Sequence, residues 1–195
     1  MTATVPGTSM RPPLGPKHPT WVACAARAIT ASSSPSRASA AWLFLGKLLE
    51  LTPEKQARVE TNVKAALERL RGFQASDGGF GYWPGDDDSA DWATNYAGHF
   101  AVEAQKAGYL PPPGLLDQWT AFQRRRARAW VPGEGQAPGP PAGASELTQA
   151  YRLFTLALAG AAELPAMNQL RERPSLPVTA KWRLAAAYQL AGQPE

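Results

Sequence analysis

From residue 41 onward, apolar side chains recur at intervals of three and four, and no stretch shows the Val/Ile/Thr alternation of a strand. Trp42, Leu45, Leu48 and Leu49 form the first such run. Thr52-Pro53-Glu54 then supplies an N-cap hydroxyl, a first-turn proline and a first-turn acid, so one helix ends there and another begins. That second helix carries Val59, Val63, Leu67 and Leu70 on one stripe, opposite Lys55, Arg58, Lys64 and Glu68, and it stops around Gly72 to Gln74. A third is expected after the acids Asp86 to Asp88, with Trp92, Tyr96 and Phe100 on its inner side and Lys106, Gly108 and Pro111 to Pro113 at its end.

A fourth helix is expected over Gly114 to Val131 with Leu115, Trp119 and Phe122 inward. Residues 132–145 hold four prolines and four glycines and read as a flexible loop. Three shorter helices follow: Glu146 to Gly160 with Leu147, Tyr151, Phe154 and Leu158 inward, Pro165 to Arg173, and Pro177 to Ala191 before Gly192. With no strands to cover them, the apolar faces must bury against other helices. The expected fold class is all-α, with antiparallel helix pairs forming part of an α/α toroid, preceded by a disordered tail over residues 1–40.

Composition narrows the function. The 195 residues, 44% of them hydrophobic, suit one domain over residues 41–195. The net charge of +4 is uneven: residues 1–49 carry five basic side chains and no acid, which leaves 15 basic against 16 acidic in the remainder. The helical part is therefore near neutral and has no nucleic-acid footprint. No apolar run approaches the roughly 20 residues of a membrane span, and the start lacks the apolar core of a secretion signal. One cysteine, Cys24, permits no internal disulfide.

The most specific local feature joins the second and third helices: Gln74, Asp77, Gly78, Gly79, Phe80, Gly81, Tyr82 and Trp83, followed by Pro84. Its glycines are expected to supply positive φ and close backbone approaches, and Asp77 to bond nearby backbone N–H groups. Phe80, Tyr82 and Trp83 are expected to fold back onto the helix ends as a structural clasp. Asp87, Asp88 and Asp91 spell the Asp-Asp-x-x-Asp pattern with which prenyl-transfer enzymes hold magnesium, but their place at a helix start reads as capping. Arg124, Arg125, Arg126 and Arg128 read as a solvated helix end. His99, alone on a helix, reads as a packing residue, and neither it, His18 nor Cys24 gives zinc spacing, so no metal or cofactor is expected.

Three segments carry a family resemblance: Trp42 to Glu54, Leu70 to Pro84 with its Gly-Gly-Phe-Gly-Tyr-Trp-Pro run, and Ala150 to Gly160, with Lys181 to Gly192 matching at the end. Together they resemble the thioester-type helical domain of bacterial alpha-2-macroglobulins. The resemblance implies an α/α toroid, one part of a large periplasmic or extracytoplasmic protein that traps proteases after a bait segment is cut. Covalently acting members carry Gly-Cys-x-Glu-Gln just before the position of Trp42. Here Ile29 to Ser36 stand in that place without Cys, Glu or Gln, so no thioester is assigned, and Cys24 does not substitute for it. The composition change near Ala41 also fits an artefactual, frame-shifted start, and the chain reads as a fragment without the flanking β-domains.

The resulting expectation is a non-enzymatic domain of a protease trap, associated with endopeptidase inhibition, with proteases as partners of the whole protein. Two other classes remain open: a toroid enzyme of terpene cyclase or prenyltransferase type using Asp87, Asp88 and Asp91, and a free-standing helical-repeat binding module.

Overall fold

A computed structural model of the chain describes residues 52–132 and 144–192. The expected tail at 1–40, the helix around Trp42 and most of the loop at 132–145 lie outside the described residues. Among those described, six α-helices follow in order: α1 Pro53–Leu70, α2 Asp91–Lys106, α3 Leu115–Arg128, α4 Ala144–Leu158, α5 Leu164–Arg171 and α6 Val178–Leu190. A 3-10 turn, Arg71–Phe73, closes α1. No strand occurs among the described residues, which hold only one isolated antiparallel bridge, between Gln74 and Phe80. The all-helical class expected from the sequence is the one observed.

The ends of the helices follow from local chemistry. Thr52 caps α1, its hydroxyl accepting from the Lys55 N–H at 3.5 Å, with Pro53 in the first turn. Helices α2 and α4 both end on a left-handed glycine. Gly108 donates to Gln105 and Tyr109 to Ala104 after α2, and Gly160 donates to Ala157 and Ala161 to Leu156 after α4. Observed ends differ from the expected ones by up to three residues; the largest difference is in α3, which stops at Arg128 rather than Val131.

The helices bury two apolar clusters. One joins α1 (Val59, Val63, Leu67, Leu70) to α2 (Phe100, Ala101, Ala104), Phe80, Leu115 and Trp119. The other joins the end of α3 to α4, α5 and α6 through Ala127, Trp130, Leu153, Leu156, Met167, Leu170 and Leu184. Phe154 packs against both clusters, so α4 is the spine between them.

Two inner faces differ from the expected ones. In α2 only Phe100 of the three aromatics is fully buried; Trp92 and Tyr96 are half-buried, and the deep face is Thr94, Asn95, Ala97, Gly98, Ala101 and Ala104. Small residues are there because α3 comes close: a Cβ on Gly98 would run into the Trp119 indole. In α4 the expected inner residues Leu147 and Phe154 are half-buried, whereas Gln149, Arg152 and Thr155 are sealed from solvent. Helices surround α4 on several sides, so even its polar positions must find partners inside.

Candidate functional site

The connector between α1 and α2 runs from Gln74 to Gly85 and is tied to three helices. Its own backbone closes through Ala75 N–H to Gly79 O at 2.9 Å, Gly81 N–H to Phe73 O at 2.9 Å and Gly85 N–H to Gly72 O at 2.9 Å. Asp77 Oδ1 accepts from the Gly79 N–H at 2.9 Å and from the Ser89 hydroxyl at 2.5 Å. Toward α3, Gln74 Nε2 donates to Leu115 O at 3.0 Å and Arg125 donates to Asp77 O at 2.7 Å. Toward α2, the Phe80 N–H donates to the Thr94 hydroxyl at 2.8 Å. Few free torsions remain in a segment held this way.

Only Gly78 of the central glycines needs positive φ, at 93°, and an added Cβ there would lie 2.5 Å from the Gln118 carbonyl oxygen. Gly79 and Gly81 serve space instead, since side chains would strike Ser89 and Asp86 respectively. The expectation that all three aromatics fold back onto the helices holds for Phe80, which is 1% exposed, and fails for Trp83, which is 60% exposed. Tyr82, at 37% exposure, is partly covered. The cause is the turn after Gly81. Trp83 N–H donates to Asp86 Oδ2 at 2.9 Å and Asp86 N–H to Trp83 O at 3.3 Å, which puts residues 82–85 at the tip of a surface turn.

The arginine cluster on α3 lies at a solvent-exposed helix end, as expected, yet its side chains are also engaged by the protein. Arg124 and Arg128 both bond Glu163, Arg128 with two contacts of 2.9 Å, and Arg126 reaches Asp91 at 3.3 Å. With Arg125 on Asp77 O, all four cations are engaged by the protein itself. Asp91 opens α2, and Glu163 immediately precedes α5, so the arginines of one helix fasten the starts of two others. Those acids also favour the positive ends of α2 and α5.

A second network lies beneath, in the core. Arg152 on α4 is 2% exposed; its Nη1 donates to Gln149 Oε1 at 2.5 Å and its Nε to Gln123 Oε1 at 3.1 Å. Gln123 donates on to Asn95 Oδ1 at 2.5 Å, and Gln149 to Ala127 O at 2.9 Å. Arg152 Nη2 sits 2.8 Å from Asp91 Oδ1 in an ion pair. Burial pushes the Asp91 carboxyl upward, but the Arg152 and Arg126 charges outweigh it and hold the pKa below the usual value. For Arg152, burial is the leading effect and lowers the guanidinium pKa, against the opposing pull of Asp91.

This network takes up one acid of the Asp-Asp-x-x-Asp pattern. Asp91, the third acid of the pattern, is committed to two arginines, while Asp87 and Asp88 lie exposed in the loop before α2. They do not cap the helix: its N-cap is Ala90, which offers no side-chain acceptor. No group of three or more potential metal ligands occurs among the described residues, and none of their helices is long and apolar enough to cross a membrane.

Glu163 gives the fold an acid limit. Its side chain is 5% exposed, and the Arg128 hydrogen bonds, assisted by Arg124 and opposed by burial, hold its pKa below the ordinary 4.5. A lowered carboxyl pKa contributes stability that is complete above the unfolded value and is lost as pH falls through the folded one. Urea unfolding midpoints should thus decline below about pH 4.5, and Glu163→Gln should be less stable at neutral pH with a shallower acid decline. Parallel profiles for the two proteins would contradict the assignment.

No family model matches the chain, and no curated protein is significantly similar to it in sequence. Solved structures do match it. The native conformation of Escherichia coli alpha-2-macroglobulin superposes with a TM-score of 0.66 at 21% identity, covering 88% of this chain and 12% of that one. Salmonella alpha-2-macroglobulin reacted with methylamine gives 0.66 at 21% identity over 92% of this chain and 12% of that one. The chain has the fold of one segment of bacterial alpha-2-macroglobulin. Trypsin-activated alpha-2-macroglobulin from E. coli matches as well, with a TM-score of 0.65 at 19% identity over 87% of this chain and 11% of that one. The resemblance read from the sequence therefore holds at the level of fold, and the chain spans about an eighth of the length of the alpha-2-macroglobulins it matches.

Proposed function

We propose that this chain is a non-catalytic helical domain of an alpha-2-macroglobulin-like protease trap, part of an α/α toroid whose work is packing and display. The observation that carries the reading is the fold likeness to E. coli alpha-2-macroglobulin at a TM-score of 0.66, over 88% of this chain. Two features of the residues support it. The acids that would serve prenyl-diphosphate chemistry are divided between solvent and an arginine clamp, and His99 is bound into ring packing rather than placed beside a nucleophile. Proteases are then partners of the whole trap, which adds β-domains around this one and works outside the cytoplasm. Residues 29–36 contain no Cys, Glu or Gln, so this segment forms no thioester and captures nothing covalently.

The connector acts in this reading as the clasp that fixes α1, α2 and α3, through Gln74, Asp77, Gly78, Gly79, Phe80 and Gly81, while Tyr82 and Trp83 are displayed on its outer turn. Calorimetric titration with magnesium and farnesyl diphosphate separates the scaffold from a toroid enzyme. The scaffold gives no saturable heat and no product, and Asp91→Asn lowers stability because it weakens the arginine clamp. Saturable binding abolished by Asp91→Asn in a folded protein would overturn the proposal.

A further inference from the structure

His99 stands where three helices meet. From α2 its Nδ1 lies 3.0 Å from the Tyr151 hydroxyl on α4, and its ring meets Tyr151 and Phe154 edge-on at 5.7 and 5.5 Å. Across the same tyrosine, Arg183 of α6 places its guanidinium 4.2 Å from the ring centroid and 5.9 Å from that of Trp92, which itself meets Tyr151 edge-on at 5.4 Å. Arg183 Nη1 is buried with no hydrogen-bond partner among the described residues. The aromatic faces are thus what this nitrogen meets in place of an acceptor.

We propose that His99 is an acid-sensitive latch, which holds α6 against α2 and α4 while neutral and loosens it when protonated. Neutral imidazole leaves Nδ1 free to accept from the Tyr151 hydroxyl, which orients the ring that Arg183 covers. A proton on Nδ1 removes that acceptor and sets a second cation beside the Arg183 guanidinium. The charged groups around His99 are Glu103 and Lys106 on α2 and Arg183 on α6, with the phenols of Tyr96 and Tyr151 completing the surroundings. Burial first, then the two cations, hold the imidazole pKa below its ordinary 6.5, against the pull of Glu103. Burial raises Tyr151 to about 12, so the phenol keeps its proton throughout.

The sign follows from linkage. The unfolded chain binds the proton more readily, so stability is complete above the ordinary histidine value and declines as pH falls from there toward the folded pKa. Carboxylates held by arginine titrate lower, so the loss that follows from His99 is read above about pH 5.

The test is proton NMR of the two imidazoles together with amide hydrogen exchange of the full chain at pH 7.5 and 5.5, corrected for intrinsic rates. His99, assigned by its loss in His99→Gln, should titrate below the ordinary 6.5, and Arg183→Gln or Tyr151→Phe should move its midpoint upward. Protection of Leu184, Ala187 and Tyr188 should fall at pH 5.5 in the unaltered chain and stay constant in His99→Gln. If His99→Gln does not fold, the upward shift in Tyr151→Phe decides alone. A His99 midpoint at the ordinary 6.5 and unmoved by either variant, or α6 protection that falls equally without His99, would overturn the latch.

Discussion

Trp119→Ala should lower the unfolding free energy by about 3–5 kcal/mol, whereas Trp83→Ala should cost less than about 1 kcal/mol. The two indoles differ in everything except chemistry. Trp119 is 0% exposed, its Nε1–H donates to Thr94 O at 2.9 Å, and its ring fills the space left by Gly98 on the facing helix. Truncation would leave a cavity between α2 and α3 and a buried carbonyl without its donor. Trp83 is 60% exposed at the tip of a hydrogen-bonded turn, so an alanine there alters little that folding buried. Because Gly98 and Trp119 share one space, Gly98→Ala should cost about 1–3 kcal/mol, and its effect should shrink in a Trp119→Ala background. Chemical denaturation of the single and double variants measures each value. Equal losses at Trp83 and Trp119 would contradict the packing described.

Arg152→Ala should destabilise by a similar amount, about 3–5 kcal/mol, for a different reason. Removing this cation strands the buried acceptors of Gln123 and Gln149 and leaves Asp91 with only its contact to Arg126. Asp91→Asn should cost clearly less, since that side chain is 36% exposed and water partly replaces its partner. A double-mutant cycle between the two residues reads their coupling directly, and strictly additive losses would show that the pair is not coupled.

The apolar stripes were legible because a helix half in water must separate its faces. Val59, Val63, Leu67 and Leu70, and likewise Leu115, Trp119 and Phe122, are buried as their spacing requires. The same rule misreads a helix enclosed on several sides. Gln149 and Arg152 look like a solvent face in sequence, yet they are interior because α3 supplies Gln123 and the Ala127 carbonyl to meet them. The partners of the α3 arginines were hidden for a related reason. Glu163 lies 39 positions from Arg124, and no local pattern reports a contact at that range. Trp83 was misjudged because aromatic residues beside glycines usually pack, and only the Trp83–Asp86 turn geometry shows which of the three goes inward. Within the connector, the spacing of Asp77 and the glycines marked a tight turn, while the need for Gly79 and Gly81 came from neighbours distant in sequence or on the far side of the turn.

A hybrid protein tests the scaffold reading most directly: residues 52–192 replace the matching segment of E. coli alpha-2-macroglobulin, and scattering follows its dimensions before and after porcine elastase. The expected result is a folded hybrid that keeps the dimensions of the parent and responds to elastase as the parent does. A hybrid that is well folded in its other domains but leaves this segment undocked, with a response to elastase unlike the parent's, would contradict the scaffold reading.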